Sequence, residues 1–146
     1  MRTVARRPVL RMGDGRFLQV EQHVVELGDG RRIEDWGWVV TPEFINVMAV
    51  LADGRVLCFR QEKYAARGLT LAVPGGYLEA GEEPLAAAQR ELLEETGYAG
   101  GRWTGLGSYV VDGNRGAGRG HFFLAQGVTW RQAPDADDLE ALEPLL

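Results

Sequence analysis

Apolar and polar residues alternate along the first half of the chain in short runs. The runs are broken by aspartate–glycine pairs, Asp14-Gly15, Asp29-Gly30 and Asp53-Gly54. Alternation with a period of two marks a strand with one buried face, and Asp-Gly between two such runs supplies the positive φ that a tight hairpin turn requires. Strands are therefore expected over 17–27, 32–41, 44–51 and 56–61. The first pair reads as half exposed. The second carries Ile45, Val47, Val50, Val56 and Leu57 and reads as more deeply buried. A further strand is expected over 70–73, ending at Pro74-Gly75-Gly76, where an irregular turn follows from the turn residues themselves.

Beyond that turn the pattern changes. Residues 85–96 are rich in Ala, Leu, Glu, Gln and Arg, all good helix formers. Pro84 suits a first helical turn and Gly97 a left-handed C-terminal cap. Leu85, Ala88 and Leu92 share a face and are expected to pack on the sheet. Strands resume over 103–111 and 121–124, on either side of the glycine-rich stretch 112–120, and the tail after Arg131 is acidic. The sum is an α+β chain in which strand, irregular loop and helix meet over 74–97.

Length and charge narrow the reading. A chain of 146 residues has the size of one domain and can bury a core without disulfides. Within it, 1–42 is expected as an N-terminal strand segment of the same domain and 43–146 as its core. The net charge of −5 disfavours a nucleic-acid polymer as partner, while a small anion shielded by local cations remains compatible. Cys58 is the single cysteine, so no disulfide forms within the chain, and with only His23 and His121 beside it no common zinc site is available. No run is long and apolar enough for a signal peptide or a membrane span, so a cytoplasmic protein without a membrane partner is expected.

The candidate chemistry lies on the helix. Glu91, Glu94 and Glu95 are three and four apart and share a face. Three like charges there repel, and a cation among them removes that cost. Hard oxygen ligands suit magnesium or manganese, and magnesium is a usual partner of phosphate oxygens. Arg90 can pair with Glu94 four residues on, leaving Glu91 and Glu95 for metal. Gly75 and Gly76 let the backbone approach a ligand closely, and a carbonyl of that turn is a further candidate ligand. On charge alone, a solvated acidic face is the commoner meaning of such a cluster.

The segment from Gly76 to Tyr98 resembles the Nudix box at every specified position: Gly76, Glu82, Arg90, Glu91, Leu92, Glu94, Glu95, Gly97 and Tyr98. The resemblance implies an αβα sandwich with a mixed central sheet. It implies hydrolysis of the pyrophosphate of a nucleoside diphosphate linked to another group, with carboxylate-bound Mg2+ or Mn2+ as cofactor. Glu91 and Glu95 are then the main metal ligands, with the Gly75 carbonyl and Glu94. Arg90 orients the glutamates and Glu82 supports the loop. Glu94, Asp112 and Glu140 are the candidates for the base.

More weakly, the wider chain resembles the ADP-ribose pyrophosphatase branch, through Arg60-Gln61, the N-terminal strand segment and the acidic run 137–140. That branch implies ADP-ribose or a nucleotide sugar as substrate and a homodimer built through the N-terminal segment. A nucleoside triphosphate pyrophosphatase and a non-catalytic nucleotide sensor are the alternatives. Ala72 stands where the branch usually carries a glutamate. After the box, 109–120 offers Asp112 as its only acid and adds Arg115 and Arg119.

That stretch can cradle phosphate through backbone amides and its arginines, or serve as a plain connection between strands. Trp36 and Trp38 flank Gly37 and face one side of a strand, either to stack on a nucleobase or to pack in a core or dimer. Arg60 is a phosphate ligand or a surface ion-pair partner of Glu62. The substrate-binding set expected from sequence is thus Arg60, Gly76, Trp36, Trp38 and Arg115. His23 and His121 read as structural; His121, bordering the loop, is the better functional candidate of the two.

Overall fold

A computed structural model describes residues 1–135 together with the backbone of 143–145. The chain divides into two compact units, one of residues 1–43 and 109–120, the other of 44–108 and 121–146.

In the first unit, β1 (Arg2–Met12), β2 (Leu18–Glu26) and β3 (Arg32–Val40) form an antiparallel sheet in that order. The first two Asp-Gly pairs make the turns expected of them. Gly15 and Gly30 have φ of 82° and 84°. Asp14 and Asp29 each accept the backbone N–H two residues on, at 2.8 and 3.1 Å. β2 is half-buried, with only His23 and Val25 fully buried. β1 was not expected. Every one of its residues is exposed, so no apolar alternation marks it. Its place comes from pairing with β2, whose register slips at Thr3/Ala5 and Pro8/Leu10, and the proline sits in an edge strand, where its missing N–H is tolerated.

The second unit carries β4 (Phe44–Val50), β5 (Cys58–Glu62), β6 (Leu69–Ala72), α1 (Pro84–Thr96), β7 (Tyr98–Ala99), most of β8 (Arg102–Val110) and β9 (Arg119–Gln126), then β10 (Thr129–Trp130) and β11 (Glu143–Leu145). Its sheets run β4-β9-β8, β11-β5-β6 and β10-β7. The α+β expectation holds, with α1 the one α-helix among the described residues.

The third Asp-Gly departs from expectation. It closes a turn, with Leu51 N–H on the Arg55 carbonyl at 2.9 Å and a bridge between Val50 and Val56. The strands it joins then part, β4 to pair with β9 and β5 to lie between β11 and β6. The turn was written locally; the strand partners were not.

The core of this unit is Ile45, Val47 and Ala49 of β4, Leu57, Ala125 and Val128, closed by Ala87, Ala88 and Leu92 of α1. Leu92 is wholly buried, worth about 2 kcal/mol of apolar transfer. Leu85 does not join it. It stays 42% exposed in the first turn, and Ala87 takes the expected place beside Ala88. With two alanines at the contact, the helix packs on β4 through its smallest side chains. α1 ends at Gly97, whose φ of 75° and N–H on the Leu93 carbonyl make the expected left-handed cap.

Candidate active site

The Pro-Gly-Gly turn is pinned to β4 on both sides. Val47 N–H donates to the Pro74 carbonyl and Ile45 N–H to the Gly76 carbonyl, each at 2.9 Å. Between these bonds the turn meets the helix. Gly75 N–H donates to Glu95 Oε2 at 2.9 Å. A side chain on Gly75 would strike the Ile45 carbonyl and Asn46, and one on Gly76 would strike the carboxylate of Glu91. The glycines are there because acidic side chains and the backbone of β4 come to within contact distance of them.

Arg90 organises the acids. Its Nε and Nη2 donate to the two oxygens of Glu82, both at 2.9 Å, a bidentate pair. Nη1 donates to Glu91 Oε1 at 2.9 Å and Glu94 Oε2 at 3.1 Å, and Nη2 reaches the Tyr77 carbonyl at 3.3 Å. Glu82 also accepts Glu79 N–H at 3.0 Å, tying the loop to the helix. The Arg90 hydrogen bond holds the Glu82 carboxyl below the usual glutamate range despite partial burial. The same bond, above all, raises the guanidinium.

The expectation that Arg90 would pair with Glu94 is met, but Glu91 is not left over, because one guanidinium serves both. Among the described residues, no three His, Cys, Asp or Glu side chains stand together in the geometry of a metal cage. Arg90 instead compensates Glu91 and Glu94, and the Gly75 N–H compensates Glu95. The donor set nonetheless fits a hard divalent cation, since the Glu91 carboxylate lies against Gly76 and the Glu95 carboxylate against Gly75. The side chain of Glu94 is the most exposed of the acids that Arg90 holds, at 45% against 15% for Glu91 and 16% for Glu82.

The other expected residues have partners of their own. Arg60 is exposed on β5, paired in the ladders with Leu71 and Glu143. Asp112 is the hub of its loop. Its Oδ1 accepts the N–H of Asn114 and of Arg115 at 3.0 and 3.1 Å, and its carbonyl accepts Gly116 N–H at 2.7 Å. Arg115 lies 3.7 Å from its other oxygen. Trp36 Nε1–H donates to the Asn114 carbonyl at 2.6 Å. Trp38 stacks on His23 at 5.1 Å between ring centroids. Of the two roles open to the tryptophans, packing is the one their contacts display. Glu140 and the run 137–140 lie outside the described residues.

Sequence reasoning missed two pairs. Buried His23 is hydrogen-bonded to Glu21 at 2.8 Å, and that bond is the main reason the Glu21 carboxyl is held low. Their i, i+2 spacing on a strand was the available signal. Ser108 and His121 Nδ1 are hydrogen-bonded at 2.7 Å across β8 and β9, which no local spacing announces.

The sequence pattern of the NUDIX domain family matches residues 42–144. The chain belongs to that family. It is similar to an ADP-ribose pyrophosphatase of Bacillus subtilis (strain 168), 29% identical over 125 residues, 86% of this chain and 65% of that protein. It is also similar to a methanol dehydrogenase activator of Bacillus methanolicus, 27% identical over 118 residues, 81% of this chain and 63% of that protein. The chain thus spans just under two thirds of the length of these curated relatives. The crystal structure of an ADP compounds hydrolase matches with a TM-score of 0.80 at 20% identity, covering 99% of this chain and 76% of that one. The likeness shows a shared Nudix-type fold. No helix among the described residues is long and apolar enough to cross a membrane.

Proposed function

We propose that this protein is a pyrophosphohydrolase using magnesium or manganese, with ADP-ribose or a nucleotide sugar as substrate. The observation that carries the reading is the meeting of Glu91 and Glu95 with the Pro-Gly-Gly turn, organised by Arg90. Glu91, Glu95 and the Gly75 carbonyl would hold the cation, with Glu94 at its side. The cation supplies charge neutralisation at the two phosphates and activation of water.

The chain's own residues do the rest. Arg90 keeps Glu91 and Glu94 in register with the loop that Glu82 supports. Gly75 N–H holds Glu95 in place. Glu94 is the favoured proton acceptor, because it is the most exposed of the acids on Arg90 and so the most open to water. Asp112 is disfavoured, since its carboxylate is committed to its own loop. Arg60 and Gly76 are assigned to the phosphates. The ADP-ribose assignment draws on the Bacillus subtilis relative.

The test is phosphate-product release from a panel of ADP-ribose, nucleotide sugars and nucleoside triphosphates, with magnesium, with manganese and with a chelator. Turnover of ADP-ribose that the chelator stops is the expected result. Preference for triphosphates would move the substrate class, and full activity in metal-free buffer would sink the metal site. A homodimer through the N-terminal strands belongs to the same reading. It is supported by the full exposure of β1, including Val4, Val9, Leu10 and Met12. Light scattering at micromolar concentration should return twice the chain mass.

A further inference from the structure

Glu94 and Glu95 stand in the last turn of α1, which ends at Thr96. A helix end is the part that frays, because its last carbonyls find no N–H further along the helix. Glu91 lies about one turn further in. Two acids of the site therefore ride on the least secure turn of the element that carries them.

That turn is held from outside the helix. The carbonyl of Glu94 accepts the N–H of Asp135 at 2.8 Å. The carbonyl of Gly97 accepts the N–H of Arg131 at 2.8 Å and that of Gln132 at 3.3 Å. Gly97 comes so close to the Gln132 carbonyl that any side chain there would overlap it. Just beyond, Tyr98 and Ala99 of β7 pair with Trp130 and Thr129 of β10. Residues 131–135 thus run as a strap across the end of α1, bound to it by backbone alone in these contacts. Helix, Pro-Gly-Gly turn and strap all belong to the second unit.

We propose that the strap 131–135 is a positioning element for Glu94 and Glu95, with the Asp135 N–H as its chief donor. The inference rests on the reading that these glutamates hold a divalent cation. Glu94 is fixed at both ends, its carboxylate by Arg90 and its carbonyl by Asp135. The Glu95 carboxylate meets the Gly75 N–H. A hard cation takes its oxygens over a narrow range of distance. Carboxylates on a fraying turn must be ordered each time metal binds, and that ordering is subtracted from affinity. The strap orders the turn beforehand. It acts through the helix backbone and need not touch the metal.

Two variants separate the backbone from the side chain. Asp135→Pro removes the N–H donor, in a segment that is neither helix nor strand. Asp135→Ala keeps the N–H and removes only the carboxylate. The first readout is amide hydrogen exchange by nuclear magnetic resonance. Residues 94–98 should exchange about fivefold faster in Asp135→Pro, the scale of one net hydrogen bond, with 88–91 unchanged as internal reference. The second readout is titration with Mn2+ alone, without substrate, followed by electron paramagnetic resonance of the free ion. The dissociation constant should rise about fivefold in Asp135→Pro and stay parental in Asp135→Ala. If Asp135→Pro does not fold by circular dichroism, Gln132→Pro, which removes the weaker bond to Gly97, carries the same two readouts.

Unchanged exchange over 94–98 in the proline variant overturns the strap. Faster exchange with parental Mn2+ affinity shows a merely structural role, whatever the melting temperature does. Equal weakening in Asp135→Ala overturns the backbone route. Glu95→Gln distinguishes these failures from that of the underlying reading. Parental Mn2+ affinity in that variant removes the metal site, and the role of the strap with it. Weakened affinity there, beside parental affinity in the proline variant, overturns the strap alone.

Discussion

The acidic end of α1 and the loop held by β3 are built from the same parts: a charged side chain bound to backbone, a glycine that lets two segments touch, and an arginine. They differ in how far apart in the chain the partners stand. At the helix, Arg90 reaches Glu91, Glu94 and Glu82 across one, four and eight residues, and Glu95 reaches Gly75 across 20. At the loop, Trp36 reaches Asn114 across 78. The helix end is therefore a local device, set by helical spacing plus one turn. The loop depends on a sheet being assembled first. Contacts of the first kind are written into local spacing; contacts of the second kind exist only once the fold has brought distant segments together.

The largest expected effect tests the first half of that contrast. Glu95→Gln keeps an acceptor oxygen for Gly75 N–H and keeps helix propensity, but removes a negative charge and a good hard-cation ligand. Turnover should fall by about a thousandfold, the scale of several kcal/mol of cation-derived stabilisation. Apo melting should be no lower than the parent's, since repulsion with Glu91 and Glu94 falls. Near-parental turnover at saturating magnesium would remove Glu95 from the mechanism.

A middle-sized effect concerns Glu82, whose carboxyl is held low by Arg90. A depressed carboxylate adds stability that is present above its unfolded value, near 4.5, and lost as pH falls through the folded one. The parent should therefore lose melting temperature on going from pH 5 to pH 3. Glu82→Gln should start about 1 kcal/mol less stable at neutral pH, the net scale of a partly screened charged hydrogen bond. It should also lose less on acidification. An identical acid slope in the two proteins would show that the bidentate pair adds nothing to folding.

The same contrast explains what the sequence disclosed. The shared face of Glu91, Glu94 and Glu95, the Arg90–Glu94 pair and the close approach at Gly75 and Gly76 could be read from helical spacing and turn residues, which are set before any tertiary contact forms, whereas Glu82 entered only through the resemblance to the Nudix box. The turns at Asp14-Gly15 and Asp29-Gly30 were legible for the same reason. β1 was not, because an exposed strand needs no apolar alternation and its register belongs to its partner. The departure of β4 from β5 was not, because strand partners depend on which apolar faces are left to cover. Leu85 misled because helical spacing says which residues share a face, not how far along the helix the packing extends. Trp36 and Trp38 were singled out correctly as a same-side pair, but what they face, His23 and residues 114–116, is a tertiary fact.

The smallest expected effect comes from Asp112, where the two regions make opposite demands. If this aspartate were the base, its charge would be indispensable, and Asp112→Asn would lose turnover by orders of magnitude with the fold intact. If it is the hub of its loop, the acceptor matters and the charge does not. The amide oxygen of Asn can take the same two N–H bonds from residues 114 and 115 that Oδ1 now takes at 3.0 and 3.1 Å, a habit common to Asp and Asn in turns. What is lost is the 3.7 Å contact with an Arg115 side chain that is 65% exposed, and such surface pairs contribute little. Turnover should then stay within about twofold of the parent, and stability within about 0.5 kcal/mol. Asp112→Ala, which removes the acceptor, should cost about 1 kcal/mol and speed trypsin cleavage after Arg115. A near-silent Asn beside a loosened Ala assigns Asp112 to the loop; an inactive Asn with parental melting assigns it to the chemistry.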